Sequence, residues 1–387
     1  MREVAVLGVG QTPISEHWDR SIRDLAGEAI FAAVQDANCT SVDALFVANM
    51  LSGSLSHQEN LGALIADWVG FRHVEAVKVE AACASGGAAL RAAMTAISSG
   101  ELECVVVAGV EKMTDAKPRE VTAALATAAD ADYESAHGLS FVALNALIMQ
   151  RYMHQYGWQH ADFAPFSINA HANAVHNPFA RLPFTISASE YKNARMIADP
   201  INLLDASPIG DGAAALVLVP TELLTKSQLG PRPSVSIIGS ASATDALALH
   251  DRKNLLWLSA AEASARRAYA QAVLGPQDID FFELHDAFSI MSVLSLEACG
   301  FAECGQGPRL GLDGDILPTG RIPITTLGGL KARGHPVGAT GVYQVVEVVQ
   351  QLRHEAGQNQ IDGAHVGMAQ SIGGSGATIV THILKRN

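Results

Sequence analysis

A cysteine and a histidine, one in each half of the chain, stand in turns of small residues directly before a predicted helix. Cys83 lies three residues before Gly86, and His335 lies three residues before Gly338. Unpaired N–H groups at a helix N-terminus favour the thiolate, which is the nucleophilic form of cysteine. An imidazole whose backbone is restricted by Pro336 can take the thiol proton. The pattern predicts a cysteine nucleophile served by a histidine base.

Two further segments carry groups that would complete such a site. His285-Asp286-Ala287-Phe288 follows the apolar strand 281–284, where α/β proteins place ligands, and His285 could donate a hydrogen bond to a carbonyl or enolate oxygen. The glycine-rich run 371–376 follows a predicted strand at 366–368, and its N–H groups could form an oxyanion hole. A helix-capping histidine and a plain tight turn remain the structural alternatives.

Internal similarity indicates how the thiol and the imidazole could meet. Several apolar strands of the first half have counterparts in the second, and the turn of Cys83 has its counterpart in the turn of His335. The matching strands are 4–8 with 235–239, 43–47 with 280–284, and 105–109 with the strand before Gln370. One half-length unit therefore occurs twice. We expect the two copies to pack about a pseudo-twofold axis, which would bring Cys83 and His335 to one pocket.

Strand-like and alanine-rich helical segments alternate along both copies, and this rhythm predicts an α/β fold. Residues 115–204 break the rhythm and are interpreted as a mainly helical and looped insertion. We therefore predict an N-terminal half formed by 1–114 and 205–230, the inserted domain 115–204, and a C-terminal half at 231–387. The segment 220–233, with its Pro and Gly residues, is the predicted connection between the halves.

Composition excludes several other classes of protein. The net charge of −13 argues against nucleic-acid binding, and no apolar run approaches the roughly 18 residues of a membrane span. Five cysteines do not suggest a disulfide framework, and no signal-peptide pattern is evident, so we expect a cytoplasmic protein. Cys299 and Cys304 lack a second pair, so no metal site is expected. Dinucleotide and phosphate-loop fingerprints are absent from the sequence.

At this point the sequence resembles the thiolase superfamily along its whole length. The resemblance rests on Cys83 with its Ser-Gly-Gly turn, on 107–113, on Asp211-Gly212-Ala213-Ala214-Ala215, on 334–341 and on the glycine-rich C-terminal segment. The His-Asp-Ala-Phe box at 285–288 is similar to that of the sterol-carrier-protein type and of archaeal acetyl-CoA acetyltransferases, rather than to the Asn-Glu-Ala-Phe of other thiolases.

The resemblance implies a five-layered αβαβα fold, a homodimer or homotetramer, and coenzyme A thioesters as substrates without a resident cofactor. It implies that Cys83 takes the acyl group, that His335 activates it, and that His285 and His335 bind the thioester oxygen of the second substrate. It also implies that the N–H groups of Cys83 and Gly373 form the oxyanion hole of the acyl-enzyme, and that the insertion holds coenzyme A.

The sequence departs from the family pattern at the second acid/base. Many thiolases carry a cysteine where this chain has Ser371, and the sterol-carrier-protein type carries it at the position of Ala287. A serine hydroxyl is a poor base near neutral pH.

We expect an acetyl-CoA C-acetyltransferase, with His285 or His335 as the base. The alternatives are an acyltransferase or retro-aldolase on another carbon skeleton, and a non-catalytic acyl-CoA-binding subunit. Archaeal relatives also suggest a hydroxymethylglutaryl-CoA synthase and a zinc-ribbon/OB-fold scaffold protein as partners.

Overall fold

The protein is built around one large mixed sheet. The computed structural model describes residues 2–224 and 229–387. In chain order the strands are β1 (Val4–Gln11), β2 (Ala44–Ala48), β3 (Glu75–Val79), β4 (Val105–Glu111), β5 (Met196–Ala198), β6 (Ile201–Asn202), β7 (Gly212–Pro220), β8 (Val235–Thr244), β9 (Phe281–Glu283), β10 (Val366–Gly373) and β11 (Thr378–Arg386). Nine of them pair in the order β3-β2-β4-β7-β1-β8-β11-β10-β9, while β5 and β6 pair separately.

The strand order shows the duplication that the sequence predicts. Outward from the centre, β1, β7, β4 and β2 of the first half correspond to β8, β11, β10 and β9 of the second. The two half-sheets meet through a short antiparallel ladder in which Val4, Ala5 and Val6 pair with Ile237, Ser236 and Val235. The three strand matches predicted from the sequence, β1 with β8, β2 with β9 and β4 with β10, are confirmed.

Helices cover both faces of each half-sheet. In chain order the helices of the described residues are α1 (Ile22–Ala37), α2 (Ser52–Leu55), α3 (Leu61–Trp68), α4 (Ser85–Ser99), α5 (Pro118–Ala126), α6 (Phe141–Tyr156), α7 (Ala164–Ala174), α8 (Ala188–Asn193), α9 (Ser259–Ala272), α10 (Ser289–Ala298), α11 (Gly307–Leu312) and α12 (Thr340–Leu352). A π-helical turn spans Gly329–Arg333.

Three hydrophobic clusters define five layers. The first joins α1 and α3 to one face of the N-terminal half-sheet. The second packs α4 and α12 between the half-sheets. The third joins α9 and α10 to the outer face of the C-terminal half-sheet. Successive side chains of a strand point to opposite faces of the sheet, so one strand can contribute to two clusters. In β9, Phe281 packs in the central cluster and Phe282 packs in the outer one. The predicted αβαβα arrangement is confirmed.

The residues between β4 and β7 include the range 115–204, for which an inserted domain stays a prediction. They contain α5 to α8 and the small β5–β6 sheet. Part of the predicted connection at 220–233, residues 225–228, lies outside the described residues. Within the described ranges, no helix combines the length and the apolar character that a membrane span requires. The coenzyme A-binding role of the insertion stays a prediction.

Candidate active site

The carboxyl ends of parallel strands carry the predicted site residues to one place. Cys83 follows β3, His285 follows β9, and Gly374 follows β10. These three residues and His335 line one cavity of about 530 Å³. Because parallel strands present their carboxyl ends at the same edge, turns from both halves can surround a single cavity. The structure therefore brings together the thiol and the two imidazoles that the sequence singled out.

The turn that presents Cys83 is held in an uncommon backbone conformation. Ala82, directly before it, has a φ of 51°, in the left-handed region that residues with a Cβ rarely adopt. The Ser85 hydroxyl supports this turn by donating to the Ala82 carbonyl at 2.5 Å and accepting from the Ala81 N–H at 2.9 Å. The serine of the Cys-Ala-Ser run thus shapes the bend that turns the chain from β3 into α4.

The surroundings of the Cys83 thiol oppose its ionisation. Burial, with a further contribution from the Glu111 carboxylate, raises the pKa of Cys83 to about 12. The expected help from free helical N–H groups is reduced, because the N–H groups of Ala84 and Ser85 are already bonded to the carbonyls of Ala81 and Ala82. Burial therefore opposes the thiolate that a helix N-terminus favours, and a base is needed to take the proton of Cys83 as it attacks.

His335 is fixed and held neutral. Its Nδ1 lies 2.7 Å from the Thr340 hydroxyl, and its ring packs edge-to-face on His285 with a centroid distance of 5.0 Å. Burial, together with His285 and the Arg333 guanidinium, holds the pKa of His335 well below its ordinary value. Burial lowers the pKa of His285 to about 3, with Arg333 contributing. A neutral imidazole near neutral pH can accept the thiol proton.

Asp286 links the two histidine-bearing segments. Its carboxylate accepts hydrogen bonds from the N–H of Leu330 at 2.6 Å and of Lys331 at 3.3 Å, both in the π-helical turn that leads to His335. Asp286 itself is buried and directly follows His285. The polar box after β9 therefore supplies one imidazole to the cavity and positions the segment that carries the other.

Glu111 is a residue of the site region to which the sequence analysis assigned no role. Its buried carboxylate accepts from the Asn49 amide at 2.8 Å and from the N–H groups of Leu51 at 2.9 Å, Met50 at 3.0 Å and Gly338 at 3.0 Å. Desolvation outweighs these bonds and raises the pKa of Glu111 to about 7. Its position at the end of an apolar strand, like that of His285, was the signal that could have revealed it.

The glycine-rich segment divides into residues near the cavity and residues turned away from it. Gly374 lines the cavity. Gly373 packs against the Ala81 carbonyl of the cysteine turn, where an added Cβ would clash. Ser371 is buried within β10, and its hydroxyl lies against the Cα of Gly87 rather than on the cavity wall. Of Ser371, Gly373 and Gly374, the structure thus places only Gly374 on the cavity wall.

The insertion forms the opposite wall of the cavity. Apolar side chains such as Phe141, Val142, Leu182 and Phe184 contribute to it, together with Met291 from α10. A charged side chain, Lys331, also lines the cavity, and its ammonium group donates to the Asp205 carbonyl. Burial lowers the pKa of Lys331 to about 8. The site is a largely apolar cavity with a small set of converging polar groups, as expected for an organic ligand.

Family models and proteins of known sequence are similar to this chain over most of its length. Residues 4–222 match the model of the thiolase N-terminal domain, and residues 241–386 match that of the thiolase C-terminal domain-like family. An acetyl-CoA acetyltransferase of Methanothermobacter thermautotrophicus is 45% identical over 100% of both chains. Sterol carrier protein 2 of Bos taurus is 32% identical over 98% of this chain and 71% of its own length.

Two solved structures are similar over nearly the whole chain. An Ltp2-ChsH2(DUF35) aldolase superposes with a TM-score of 0.85 at 25% identity, covering 99% of this chain and 98% of the other. An acetyl-CoA acetyltransferase from Syntrophomonas wolfei has a TM-score of 0.75 at 19% identity, covering 100% and 99%. The second likeness concerns the fold alone.

Proposed function

The chain belongs to the thiolase family, and on that premise we propose that it is an acetyl-CoA C-acetyltransferase. The reaction joins two molecules of acetyl-CoA into acetoacetyl-CoA and releases coenzyme A. The observation that carries this proposal is the meeting of Cys83, His285 and His335 on one cavity, in a chain similar over its full length to an archaeal acetyl-CoA acetyltransferase. No resident cofactor is needed, because the coenzyme A thioesters are the substrates.

In the first half-reaction Cys83 attacks the thioester carbonyl of acetyl-CoA. His335 accepts the thiol proton as the new S–C bond forms, since both groups are uncharged at rest. The N–H groups of Cys83 and Gly373 stabilise the oxyanion of the tetrahedral intermediate. The intermediate then expels the coenzyme A thiolate, which takes the proton from His335. This leaves an S-acetyl group on Cys83 and a neutral imidazole.

In the second half-reaction another acetyl-CoA loses a proton from its Cα and attacks the acetyl group on Cys83. His285 and His335 hold the thioester oxygen on which enolate charge develops. The base is one of these two histidines, directly or through water, because the Ser371 hydroxyl lies away from the cavity wall. Acetoacetyl-CoA forms as the Cys83 thiolate is released. The base then transfers to this thiolate the proton that it removed from Cα.

The finer biological context forms part of the same proposal. We place the enzyme in the cytoplasm as a homodimer or homotetramer. Strand β3 is a candidate contact between subunits, because it is an edge strand on which Val77 is exposed. A hydroxymethylglutaryl-CoA synthase and a zinc-ribbon/OB-fold scaffold protein are the proposed partners. The name of the Ltp2-ChsH2(DUF35) aldolase, which pairs two proteins, supports a partner of a different kind from this chain.

Thiolysis tests the proposal directly. Acetoacetyl-CoA and coenzyme A are supplied to the folded protein, and acetyl-CoA is measured with and without candidate partners. Intact-mass measurement after incubation with acetyl-CoA should show one acetyl group that is lost in Cys83→Ala. The matched control is Cys304→Ser, which removes an exposed thiol outside the cavity. Absence of thiolysis under every condition would contradict the proposed condensation reaction. Absence of the acetyl adduct would favour a non-catalytic acyl-CoA-binding subunit.

A second candidate is a retro-aldolase or acyltransferase acting on another carbon skeleton. The likeness to the Ltp2-ChsH2(DUF35) aldolase favours it, and so do Ala287 and the position of Ser371, which leave the cavity without a second thiol or hydroxyl base at those places. A protein that fails in thiolysis but releases a carbonyl compound from β-hydroxyacyl-CoA thioesters would establish this second activity.

A further inference from the structure

Two cysteine side chains outside the active site lie in direct contact. The Sγ atoms of Cys39 and Cys104 are 3.2 Å apart, although the residues are 65 positions apart in the chain. Cys39 follows α1, and Cys104 directly precedes β4. A disulfide bond measures about 2.05 Å, so the two sulfur atoms need to approach by only roughly 1.2 Å to bond.

The backbone around this pair is already held together. The Asp43 N–H donates to the Cys104 carbonyl at 2.8 Å, and the Asp43 carboxylate accepts from the N–H groups of Glu103 at 2.9 Å and Cys104 at 2.8 Å. These bonds fix the start of β4 to the start of β2, close to Cys39. Little conformational freedom remains to be lost when the sulfur atoms bond, which favours closure of the pair.

The two thiols also differ in the way that an attacking and a resolving cysteine do. The contact with the Cys104 thiol is the main cause that lowers the pKa of Cys39, and the same contact raises the pKa of Cys104. Both side chains are half-buried rather than enclosed. Cys39 is therefore the thiol of the pair that ionises more readily, whereas burial raises the pKa of Cys83 and of Cys299 to about 12.

We propose that Cys39 and Cys104 form a reversible disulfide when the protein meets a small-molecule disulfide such as oxidised glutathione, and that this oxidation site is separate from Cys83. The Cys39 thiolate attacks one sulfur of oxidised glutathione and releases one glutathione thiolate. Cys104 loses its proton and attacks the Sγ of Cys39, which releases the second. The two electrons of the dithiol reduce one oxidised glutathione to two glutathione molecules, which also carry the two protons.

The position of the pair predicts what its oxidation does. Strands β2, β3 and β4 are parallel, with the cysteine pair at their amino ends and Cys83 beyond the carboxyl end of β3. Strands of this length span roughly 15–25 Å. The disulfide therefore leaves the catalytic turn in place while it closes a long loop of the N-terminal half. Closing such a loop restricts the unfolded chain and should stabilise the fold.

The test equilibrates the full chain with glutathione buffers of increasing oxidised fraction and then alkylates the remaining thiols. The Cys304→Ser background removes the exposed cysteine that would otherwise react. Peptide mapping without reduction should show Cys39 joined to Cys104 with the loss of two hydrogens, before any modification of Cys83. Cys104→Ser should instead trap a glutathionyl group on Cys39, and Cys39→Ser should leave Cys104 free.

The melting temperature and the reaction rates are measured on the same samples. The melting temperature should rise by several degrees on oxidation and fall again with dithiothreitol, while Cys39→Ser shows no such rise. Acetylation and thiolysis rates should stay within about twofold, because the catalytic turn is not touched. The proposal is overturned if Cys83 is modified while the pair stays reduced, if Cys104→Ser fails to trap the mixed disulfide, or if activity falls in parallel with the crosslink.

Discussion

The carboxylate of Glu111 accepts a hydrogen bond from the backbone N–H of Gly338 at 3.0 Å, across the boundary between the two halves of the chain. Gly338 is three residues beyond His335, and the other bonds of Glu111 reach the end of β2. An added Cβ at Gly338 would lie 2.8 Å from a Glu111 oxygen, so this glycine allows the close approach. One buried carboxylate therefore sets the distance between the histidine turn and the half that carries Cys83.

Glu111→Gln should weaken both folding and acyl transfer. One oxygen of the carboxylate accepts from Asn49 and Leu51 and the other from Met50 and Gly338, so an amide nitrogen would face two N–H donors. We expect a loss of about 1–3 kcal/mol in the free energy of unfolding, measured in urea. We expect kcat to fall roughly 10–100-fold, with a smaller change in KM, because the His335 turn moves.

The control for this prediction is Glu101→Gln, which changes an exposed glutamate. A wild-type kcat in Glu111→Gln would contradict the positioning role of Glu111.

Alkylation of Cys83 by iodoacetamide should increase with pH without levelling off near the pKa of an ordinary thiol. The rate follows the thiolate fraction, and burial raises the pKa of Cys83 to about 12. We expect about a tenfold increase per pH unit from pH 7 to 9.5, whereas a free thiol levels off near its pKa of about 8.5. Mass spectrometry of the Cys83 peptide provides the rate. A plateau that begins near pH 8 would contradict the raised pKa of Cys83.

Acetylation of Cys83 in a single turnover should change little between pH 8 and pH 6. The pKa of His335 lies well below its ordinary value, so the basic imidazole persists as pH falls through this window. A histidine with the ordinary pKa of about 6.5 would lose about three quarters of its basic form at pH 6. The rate should decline only at lower pH, where His335 gains a proton. A midpoint near pH 6.5 in rapid-quench experiments would be inconsistent with a desolvated imidazole.

Ser371→Ala should retain thiolysis to within about twofold, whereas His285→Ala should reduce it by roughly 10²–10⁴-fold. The reason is that the Ser371 hydroxyl packs against Gly87 while the His285 ring lines the cavity beside His335. Steady-state thiolysis and unfolding measurements on both variants separate catalytic from folding effects. A severe loss in Ser371→Ala with unchanged stability would assign the second acid/base to this serine.

Much of the fold could be predicted from the sequence because each half repeats the same local signals. Apolar strands ending in turns of small residues indicate the positions of Cys83, His285 and His335. Ionisation was harder to predict, because the neighbours that determine it come from distant segments. The Glu111 carboxylate contributes to the raised pKa of Cys83, and Arg333 contributes to the lowered pKa of both histidines. Neither relationship follows from local spacing.

By itself, the sequence determined the duplication, the layered α/β architecture and the identity of the groups at the carboxyl edge, because periodicity and turn chemistry are local properties. Tertiary structure alone decided that burial raises the pKa of the Cys83 thiol, that Ser371 faces Gly87 and that Cys39 contacts Cys104. These outcomes depend on desolvation and on contacts between segments far apart in the chain, which arise only when the two halves pack together.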